Sequence, residues 1–397
     1  MSDFKRNLLL FLIGVFCFGL FDGIMTSTFN NFLNDRFGLN AEERGQLEFP
    51  RELPGLSIAL VTGSIAFFAI NKQAFLATLF SAIGALGLSQ FIRIDGIPNF
   101  TLLIFFMLFW AMGDHLFIPV RDSLALKFSS RNREGHRLGQ VEGMRMSAYI
   151  VGSGFVWLLM GKFFKNKLSM LKYEDLYLLA SSFVLVGSVL FLFMKVSNPS
   201  VQTRRFVFRK EYKLYYLLNI FFGGRKQLFL TFGPWVLITK FGATPSNIAG
   251  LIMIASIIGV FFRPLLGKAV DKFGERLTMI VDGVVLMIIC MGYALGEQLL
   301  GKGNAFYLLC TCYVIDNLFF AVRIARTTYL KKILVDKEDL IPTLSFGVSI
   351  DHIVSMTLPI LGGFIWKVVN YQAVFWFASL IAIMIILTSW RIETRRD

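Results

Sequence analysis

Two short segments of the chain place an aspartate and an arginine seven positions apart inside long apolar runs. Asp114 to Arg121 reads DHLFIPVR and Asp316 to Arg323 reads DNLFFAVR, with five of eight positions identical. Because seven residues make about two turns of an α-helix, each Asp shares a helix face with its Arg, roughly 10 Å apart along the axis. A charge inside a membrane helix is costly and normally faces a bundle interior or a water-filled cavity. The two segments therefore predict similar helices, one in each half of the chain, around a polar path.

Other ionisable residues also stand inside apolar runs. They are Asp22, Arg225, Lys226, Arg326 and the adjacent pairs Asp114-His115 and Asp351-His352. Histidine titrates near physiological pH, and a carboxyl desolvated in a cavity can titrate in the same range. Such groups suit a proton carrier that loads on one side of a membrane and unloads on the other. Each Asp could equally neutralise an Arg or Lys on a neighbouring helix, and for any single Asp the sequence leaves both interpretations open.

The candidate cavity residues carry more positive than negative charge. The cations are Arg121, Arg225, Lys226, Arg323 and Arg326, and the anions are Asp22, Asp114 and Asp316. Because guanidinium groups suit carboxylate and phosphate, this excess favours an anionic or zwitterionic solute. Asp22 and Lys226 are 204 positions apart. The same offset aligns other residues of the first half of the chain with residues of the second half, as described below. We therefore expect Asp22 to form an intramembrane pair with Lys226 or its neighbour Arg225.

The composition excludes a soluble fold for a chain of this size. Of the 397 residues, 55% are hydrophobic, and the longest uncharged runs reach the ~20 residues that a helix needs to cross a bilayer. A backbone in lipid must satisfy its own hydrogen bonds, which predicts helices. We therefore predict an all-α polytopic membrane protein with twelve transmembrane helices. The sequence shows no metal-ligand cluster, cofactor motif or nucleophile constellation, so it predicts no metal site, no cofactor and no enzyme activity.

The formal net charge of +14 would indicate a nucleic-acid partner in a soluble protein. In a membrane protein, Lys and Arg instead collect in cytoplasmic loops. Here the loops on the side that holds both termini carry the larger share of these residues. We therefore predict a multi-pass protein of a bacterial inner or plasma membrane, embedded in the lipid bilayer, with both termini cytoplasmic and no nucleic-acid partner.

A basic polar stretch from Lys195 to Lys213 divides the predicted spans into six and six. We predict an N-terminal six-helix bundle over 1–195, a basic cytoplasmic linker over 196–212 and a C-terminal six-helix bundle over 213–397.

The two halves align with each other. An offset of 204 positions pairs Gly19 with Gly223 and Phe37-Gly38 with Phe241-Gly242. Parallel repeats related by an axis along the membrane normal are typical of one large class of transporter. We therefore expect the two bundles to be pseudo-symmetric.

The predicted second span opens with an ionic cluster. Glu48, Arg51 and Glu52 stand there, flanked by Pro50 and Pro54. We expect these charges to form a solvated outer mouth.

A loop motif stands between the predicted spans eight and nine. The segment GKAVDKFGERL places Gly267, Asp271, Gly274 and Arg276 in the pattern G-x-x-x-D-x-x-G-x-R. Together with the twelve spans, the repeat and the central basic loop, it resembles the major facilitator superfamily. In the first half Phe67 stands where the motif has its acidic residue. The resemblance implies a cytoplasmic gating role for the four motif residues, with Arg137 as a partner for Asp271.

The resemblance also implies a function. In this family spans one, four, seven and ten line a central cavity, and those spans hold most of the intramembrane charges found here. We expect a monomeric secondary transporter that moves a small-molecule solute by alternating access, with protons as the coupling ion. Two alternatives stay open: a drug, metabolite or lipid exporter of the same fold, and a membrane receptor that does not transport.

Overall fold

A computed structural model describes residues 3–65, 67–130, 133–161, 171–196 and 209–393, except for the side chains of 58–64, 337 and 341. Over these residues the chain is almost entirely helical. Residues 197–208, which make up most of the predicted linker 196–212, lie outside the described residues.

The α-helices follow one another with short connections. In chain order they are α1 (Asp3–Phe37), α2 (Ala41–Gln46), α3 (Glu48–Ser64), α4 (Ile70–Gln90), α5 (Phe100–Lys127), α6 (Glu134–Leu159), α7 (Tyr173–Leu192), α8 (Lys213–Thr239), α9 (Pro245–Phe319), α10 (Arg323–Ile333), α11 (Leu340–Val368) and α12 (Tyr371–Trp390). Short 3₁₀ turns precede α8, α10 and α11, at Lys210–Tyr212, Phe320–Val322 and Lys337–Asp339. Two two-residue strands, β1 (Arg93–Ile94) and β2 (Ile97–Pro98), form an antiparallel hairpin between α4 and α5.

The stretch α9 covers 75 residues but is not one continuous helix, because two glycines turn the chain inside it. Gly274 has φ 79° and ψ 166°, and Gly301 has φ 71° and ψ 161°. Glycine adopts these conformations without steric cost, since it has no Cβ. The turns divide α9 into three helical segments, which correspond to predicted spans eight, nine and the first part of ten.

The helices are those of a membrane protein. Among the described residues, seven helical stretches are long and apolar enough to cross a bilayer, with α9 and α10 taken as one stretch. That single stretch contains the two glycine turns. The all-α membrane fold is therefore confirmed. The helices are consistent with twelve crossings, a number that stays a prediction.

Side chains satisfy backbone groups where helices begin. The side chain of Asn99 accepts from the backbone N–H of Leu102 at the start of α5, at 3.1 Å. Asn370 accepts in the same way from Ala373 at the start of α12, at 2.9 Å. Both replace partners that the first turn of a helix lacks. Asparagine thus marks two helix starts at which the apolar pattern alone gives no sharp boundary.

The chain divides into two compact units. Unit 1 comprises Met1–Gly38, Leu53–Gln202 and Thr244–Met253. In it α1 packs on α6 and α7, and α4 packs on α5 and α7. Glycines permit close approaches between these helices, because a Cβ built at Gly19 would lie 2.5 Å from the carbonyl oxygen of Arg145. Small residues commonly bring membrane helices together in this way.

Unit 2 comprises Leu39–Glu52, Thr203–Ala243 and Ile254–Asp397. Here α8 packs on α11 and α12, and the short α2 packs on α11. A polar contact fastens the beginning of α8, where the Tyr212 hydroxyl donates to Asp339 at 2.7 Å and accepts from the backbone N–H of Val335 at 3.1 Å.

Two segments therefore belong to a unit other than that of their sequence neighbours. Leu39–Glu52, which we call the α2 hook, lies in unit 2, and Thr244–Met253 lies in unit 1. Each begins within two residues of a glycine with positive φ, Gly38 at 60° and Gly242 at 71°. These glycines are the pair that the offset of 204 aligns. A division of the chain at the linker alone would leave each of these two segments with its sequence neighbours. The predicted domain boundaries stay predictions.

Candidate functional site

An ionic network joins three helices of unit 1. Arg145 on α6 donates to Asp22 on α1 at 2.8 Å and to Glu142, one turn earlier on α6, at 2.8 Å. Arg121 on α5 lies 3.2 Å from the other oxygen of Glu142 and 2.8 Å from Asp122. Two arginines are thus shared among three carboxylates. Asp22 and Arg145 keep 21% and 19% of their side chains exposed.

Asp114 and Arg121 share α5 but have different partners. Asp114 accepts a hydrogen bond from Ser81 on α4 at 3.1 Å, whereas Arg121 turns toward α6. His115 is half-buried on the same helix. The spacing of these residues in the sequence correctly predicted that they share a helix. It did not indicate which neighbouring helix each side chain contacts.

Arg225 on α8 is an ionic group of unit 2 whose side chain is fully buried. It lies 3.0 Å from Asp282 in the second segment of α9 and 3.0 Å from Asp316 in the third segment. Both carboxylates are 3% exposed. Burying an ion is expensive unless opposite charges and hydrogen bonds surround it. This triad has that environment and binds three helical segments into one core.

The next residue, Lys226, faces another helix. Its ammonium group pairs with Asp351 on α11, and the two side chains are 22% and 18% exposed. Neighbouring residues on a helix point about 100° apart, which explains why Arg225 and Lys226 have separate partners.

The two arginines of α10 differ in their surroundings. Arg326 donates to the side chain of Asn219 and stacks on the ring of Phe222, 3.6 Å from its centroid. Among the ion pairs of the described residues, none contains Arg326 or Arg323. Arg323 is exposed. Of the five predicted cavity cations, Arg323 is therefore the one best placed to meet an anion from solution.

A second network ties the α2 hook to α8 and α11. Glu48 is completely buried and accepts from Arg44 at 2.5 Å, Arg51 at 2.6 Å and Gln227 of α8 at 2.6 Å. Three donors on one carboxylate hold the negative charge in place.

The hook has further contacts with α11. Glu52 lies 3.0 Å from Nδ1 of His352, and Glu42 lies 2.6 Å from Lys367. The backbones also approach closely, since a Cβ on Gly45 would lie 2.2 Å from the carbonyl oxygen of Pro359. The hook is therefore packed onto α11 along its length.

Two expectations from the sequence were wrong. The predicted solvated outer mouth is instead a buried network, with Glu48 at 0% and Glu52 at 6% exposure. The predicted pairing of Asp22 with Arg225 or Lys226 is replaced by Asp22–Arg145, Arg225–Asp316 and Lys226–Asp351. In both cases packing between distant segments decides the partner, and spacing along one helix cannot show it.

The loop motif forms the turn between the first two segments of α9. Gly274 supplies the positive φ of the turn, and Asp271 is exposed before it. The Arg276 guanidinium stacks at 5.4 Å from the ring centroid of Trp390, and Gly267 has open space where a Cβ would project. Arg137, the predicted partner of Asp271, donates to the carbonyl oxygen of Phe128 at 3.0 Å.

Sequence reasoning gave no cavity role to Glu142, Arg145, Asp282 or Gln227. Each nevertheless contacts one of the predicted residues or the hook. Charge balance could have identified Glu142, Arg145 and Asp282. A buried arginine requires a carboxylate partner and a buried carboxylate requires a cation, and each half of the chain contains a limited number of such groups. No pattern in the sequence distinguishes Gln227.

One family model matches most of the chain. The sequence model described as Major Facilitator Superfamily matches residues 53–332 and, in a second match, 215–397. Multidrug resistance protein 2 of Bacillus subtilis (strain 168) is 29% identical over 150 residues, which is 36% of this chain. This chain spans only 34% of the length of that relative.

Solved structures resemble nearly the whole chain. A mutant of the nucleoside transporter NupG gives a TM-score of 0.77 at 11% identity, covering 98% of this chain and 100% of that one. A D-xylose-proton symporter gives 0.73 at 15% identity, covering 99% and 98%. A bacterial homolog of the human lysosomal transporter Spinster gives 0.67 at 14% identity, covering 98% and 94%. At these identities the likeness concerns the fold.

Proposed function

Because the chain belongs to the major facilitator superfamily, we propose that it is a proton-coupled secondary transporter that moves a small polar solute by alternating access. Membership makes it an integral membrane transporter of small solutes. Proton coupling and the class of solute are the parts that we add. The observation that carries the proposal is the network of Asp22, Arg145, Glu142 and Arg121, which places a partly exposed carboxyl in an ionic chain across three helices.

Asp22 is the proposed proton carrier. When it is ionised it holds Arg145, and when it is protonated it loses most of its attraction for that guanidinium. Arg145 would then remain with Glu142 alone, and the contact between α1 and α6 would weaken. Proton binding would thereby favour one arrangement of the helices over another, which is what coupling requires.

The buried triad of Arg225, Asp282 and Asp316 has a different proposed role. Its side chains are 0 to 3% exposed, so protons and solute have no direct access to it in this conformation. We assign it to the scaffold of unit 2.

The class of solute follows from the remaining positive charge. Arg121, Arg225 and Lys226 are each paired with a carboxylate, which reduces the cation excess seen in the sequence. Arg323 is exposed and belongs to none of the ion pairs among the described residues. A guanidinium in this state attracts a carboxylate or phosphate, so an anionic or zwitterionic solute stays the favoured class.

We further propose that the protein acts as a monomer in a bacterial plasma membrane, with both termini in the cytoplasm. The basis for the orientation of the termini is the excess of Lys and Arg in the loops on that side.

The test is solute flux in proteoliposomes with and without an imposed pH gradient. A panel of labelled organic acids, amino acids, sugars and nucleosides covers the solute classes. Accumulation that requires the gradient, and is strongest for anions or zwitterions, supports the proposal. Accumulation that is indifferent to the gradient contradicts proton coupling.

An exporter is the second candidate, because the sequence match to Multidrug resistance protein 2 favours it. Dye transport distinguishes the two functions. An exporter would accumulate a lipophilic dye inside inverted membrane vesicles, or expel it from spheroplasts, against its concentration gradient. A protein that binds solutes but moves none of them would instead be a receptor.

A further inference from the structure

Several polar atoms on α8 and α11 are buried without a hydrogen-bond partner among the described protein residues. Three of them are Oε1 of Gln227, Oγ1 of Thr231 and Oγ of Ser355. Gln227 is 1% exposed, and Thr231 and Ser355 are 0% exposed. Leaving a buried polar atom without a partner costs free energy, so such atoms in a native protein call for an explanation, such as a bound molecule.

The residues that carry these atoms belong to helices that meet at one junction, between α8, α11 and the α2 hook. On α8, Gln227 donates to Glu48 of the hook at 2.6 Å, and Thr231 stands one turn further along the same face. Neighbouring glycines on that helix meet α11, since a Cβ at Gly224 would lie 2.5 Å from the Leu358 side chain.

Ser355 lies on α11. Asp351, one turn before it, packs on Gly223 of α8, while His352 and Pro359 meet the hook at Glu52 and Gly45. Ser355 is one turn from Asp351 and one turn from Pro359, so it shares the helix face that meets α8 and the hook. All of these contacts lie within unit 2.

The hydrogen-bonding chemistry of the junction is specific. The Gln227 amide nitrogen donates to Glu48, and this bond orients the amide so that Oε1 remains as an acceptor. A ligand must therefore present an O–H or N–H donor to it. Serine and threonine hydroxyls both donate and accept, so a ligand hydroxyl satisfies all three positions, whereas a bare carboxylate satisfies only the hydroxyls.

We propose that Gln227, Thr231 and Ser355 bind the uncharged hydroxyl or amide groups of the transported solute, and that the α2 hook covers this site. The proposal deepens the transporter function and rests on it. Glu48 orients the Gln227 amide and is a positioning residue. The solute class narrows to molecules that carry hydroxyl or amide donors in addition to an acidic or zwitterionic group.

The test asks whether the sealed junction opens to water during the transport cycle. Thr231→Cys and Ser355→Cys are made separately in a variant whose four native cysteines are replaced by alanine. Membranes are treated with 2-aminoethyl methanethiosulfonate, a small water-soluble thiol reagent, and the labelling rate is read by mass spectrometry. The matched control is Ser188→Cys on α7, also 0% exposed, whose native hydroxyl donates to the Phe75 carbonyl at 2.9 Å.

We expect both junction cysteines to react about tenfold faster than Ser188→Cys, because a solute site must open while packed helix interiors open rarely. Rates equal to that of the control overturn the proposal. If the alanine background does not fold, the same substitutions are made in the wild-type chain, with the unsubstituted protein as the blank. The labelling result does not depend on flux, so a wild-type protein that moves no solute would refute the proposed function separately.

Discussion

Asp22 on α1 and Arg145 on α6 lie 2.8 Å apart beside a close approach of these two helices. Gly19 and Gly23 permit that approach, since a Cβ on either would lie within 2.5 Å of a backbone oxygen of α6. A charge change at Asp22 therefore acts on an interface that has little room to adjust elsewhere. This arrangement makes Asp22 the first residue to test.

Asp22→Asn should uncouple transport from the pH gradient. The amide cannot release a proton in the physiological range, while Glu142 still holds Arg145. We expect gradient-driven accumulation in proteoliposomes to fall about tenfold or more, within the usual range of coupling energies, whereas solute exchange without a gradient continues. Asp95→Asn, in the turn of the β-hairpin, is the control and should behave as wild type. Unchanged gradient-driven uptake in Asp22→Asn would rule out this carboxyl as the proton carrier.

Arg225→Met should destabilise unit 2 strongly. It removes the shared partner of Asp282 and Asp316 and leaves two buried carboxylates, and breaking a buried pair in this way costs about 3–5 kcal/mol. Thermal unfolding in detergent measures the loss. Adding Asp282→Asn and Asp316→Asn should restore part of it, because no uncompensated charge then remains.

The comparison for that experiment is Arg93→Met, since Arg93 pairs with Glu174 at 3.0 Å but is 43% exposed. Exposed ion pairs contribute little to stability. Equal losses for Arg93→Met and Arg225→Met would contradict the scaffold role of the triad.

Gly45→Ala should loosen the α2 hook. The new Cβ would lie 2.2 Å from the Pro359 carbonyl oxygen, so α2 must move away from α11. Overpacking of this kind typically costs about 1–3 kcal/mol. Hydrogen exchange of residues 41–46 should accelerate, and flux should fall with it. Gly139→Ala, where nothing lies within 4 Å of the new Cβ, should change neither quantity. Normal exchange protection in Gly45→Ala would show that the hook contact is not tight.

Arg323→Gln should weaken binding of an anionic solute by about tenfold, the effect expected for one hydrogen bond to a charged group. Arg323→Lys keeps the charge and should lose less. Solute-dependent thermal shifts measure both variants without requiring transport. A solute panel in which cations bind best, with affinity unaffected by either substitution, would contradict the anion preference.

The helices and the family could be predicted from the sequence, and the contacts within the site could not. Long apolar runs predict membrane helices because a helix satisfies all the hydrogen bonds of its own backbone in lipid. The repeated Asp–Arg segments do lie on α5 and across α9 and α10. The glycines aligned by the offset of 204, Gly38 and Gly242, share a positive φ.

Ion pairing depends on the rotation of each helix about its own axis. Arg225 and Lys226 are adjacent in sequence, yet one faces Asp316 and the other faces Asp351. The depth of Glu48 depends on the docking of the hook against α8, a segment about 180 positions away. Periodicity reports neither rotation nor docking, so the Asp22 pairing and the exposure of Glu48 were predicted wrongly.

The exchanged segments imply that neither half of the chain is a self-sufficient folding unit. A polypeptide that stops in the linker would carry the α2 hook without α8 and α11, on which the hook packs, and would lack Thr244–Met253, which belongs to unit 1. Glu48 would then lose the hydrogen bond from Gln227 and would be exposed to lipid or water. Each half should accordingly be degraded when it is synthesised alone. When both halves are synthesised together their amounts should rise, because each half supplies the segment that the other half packs against.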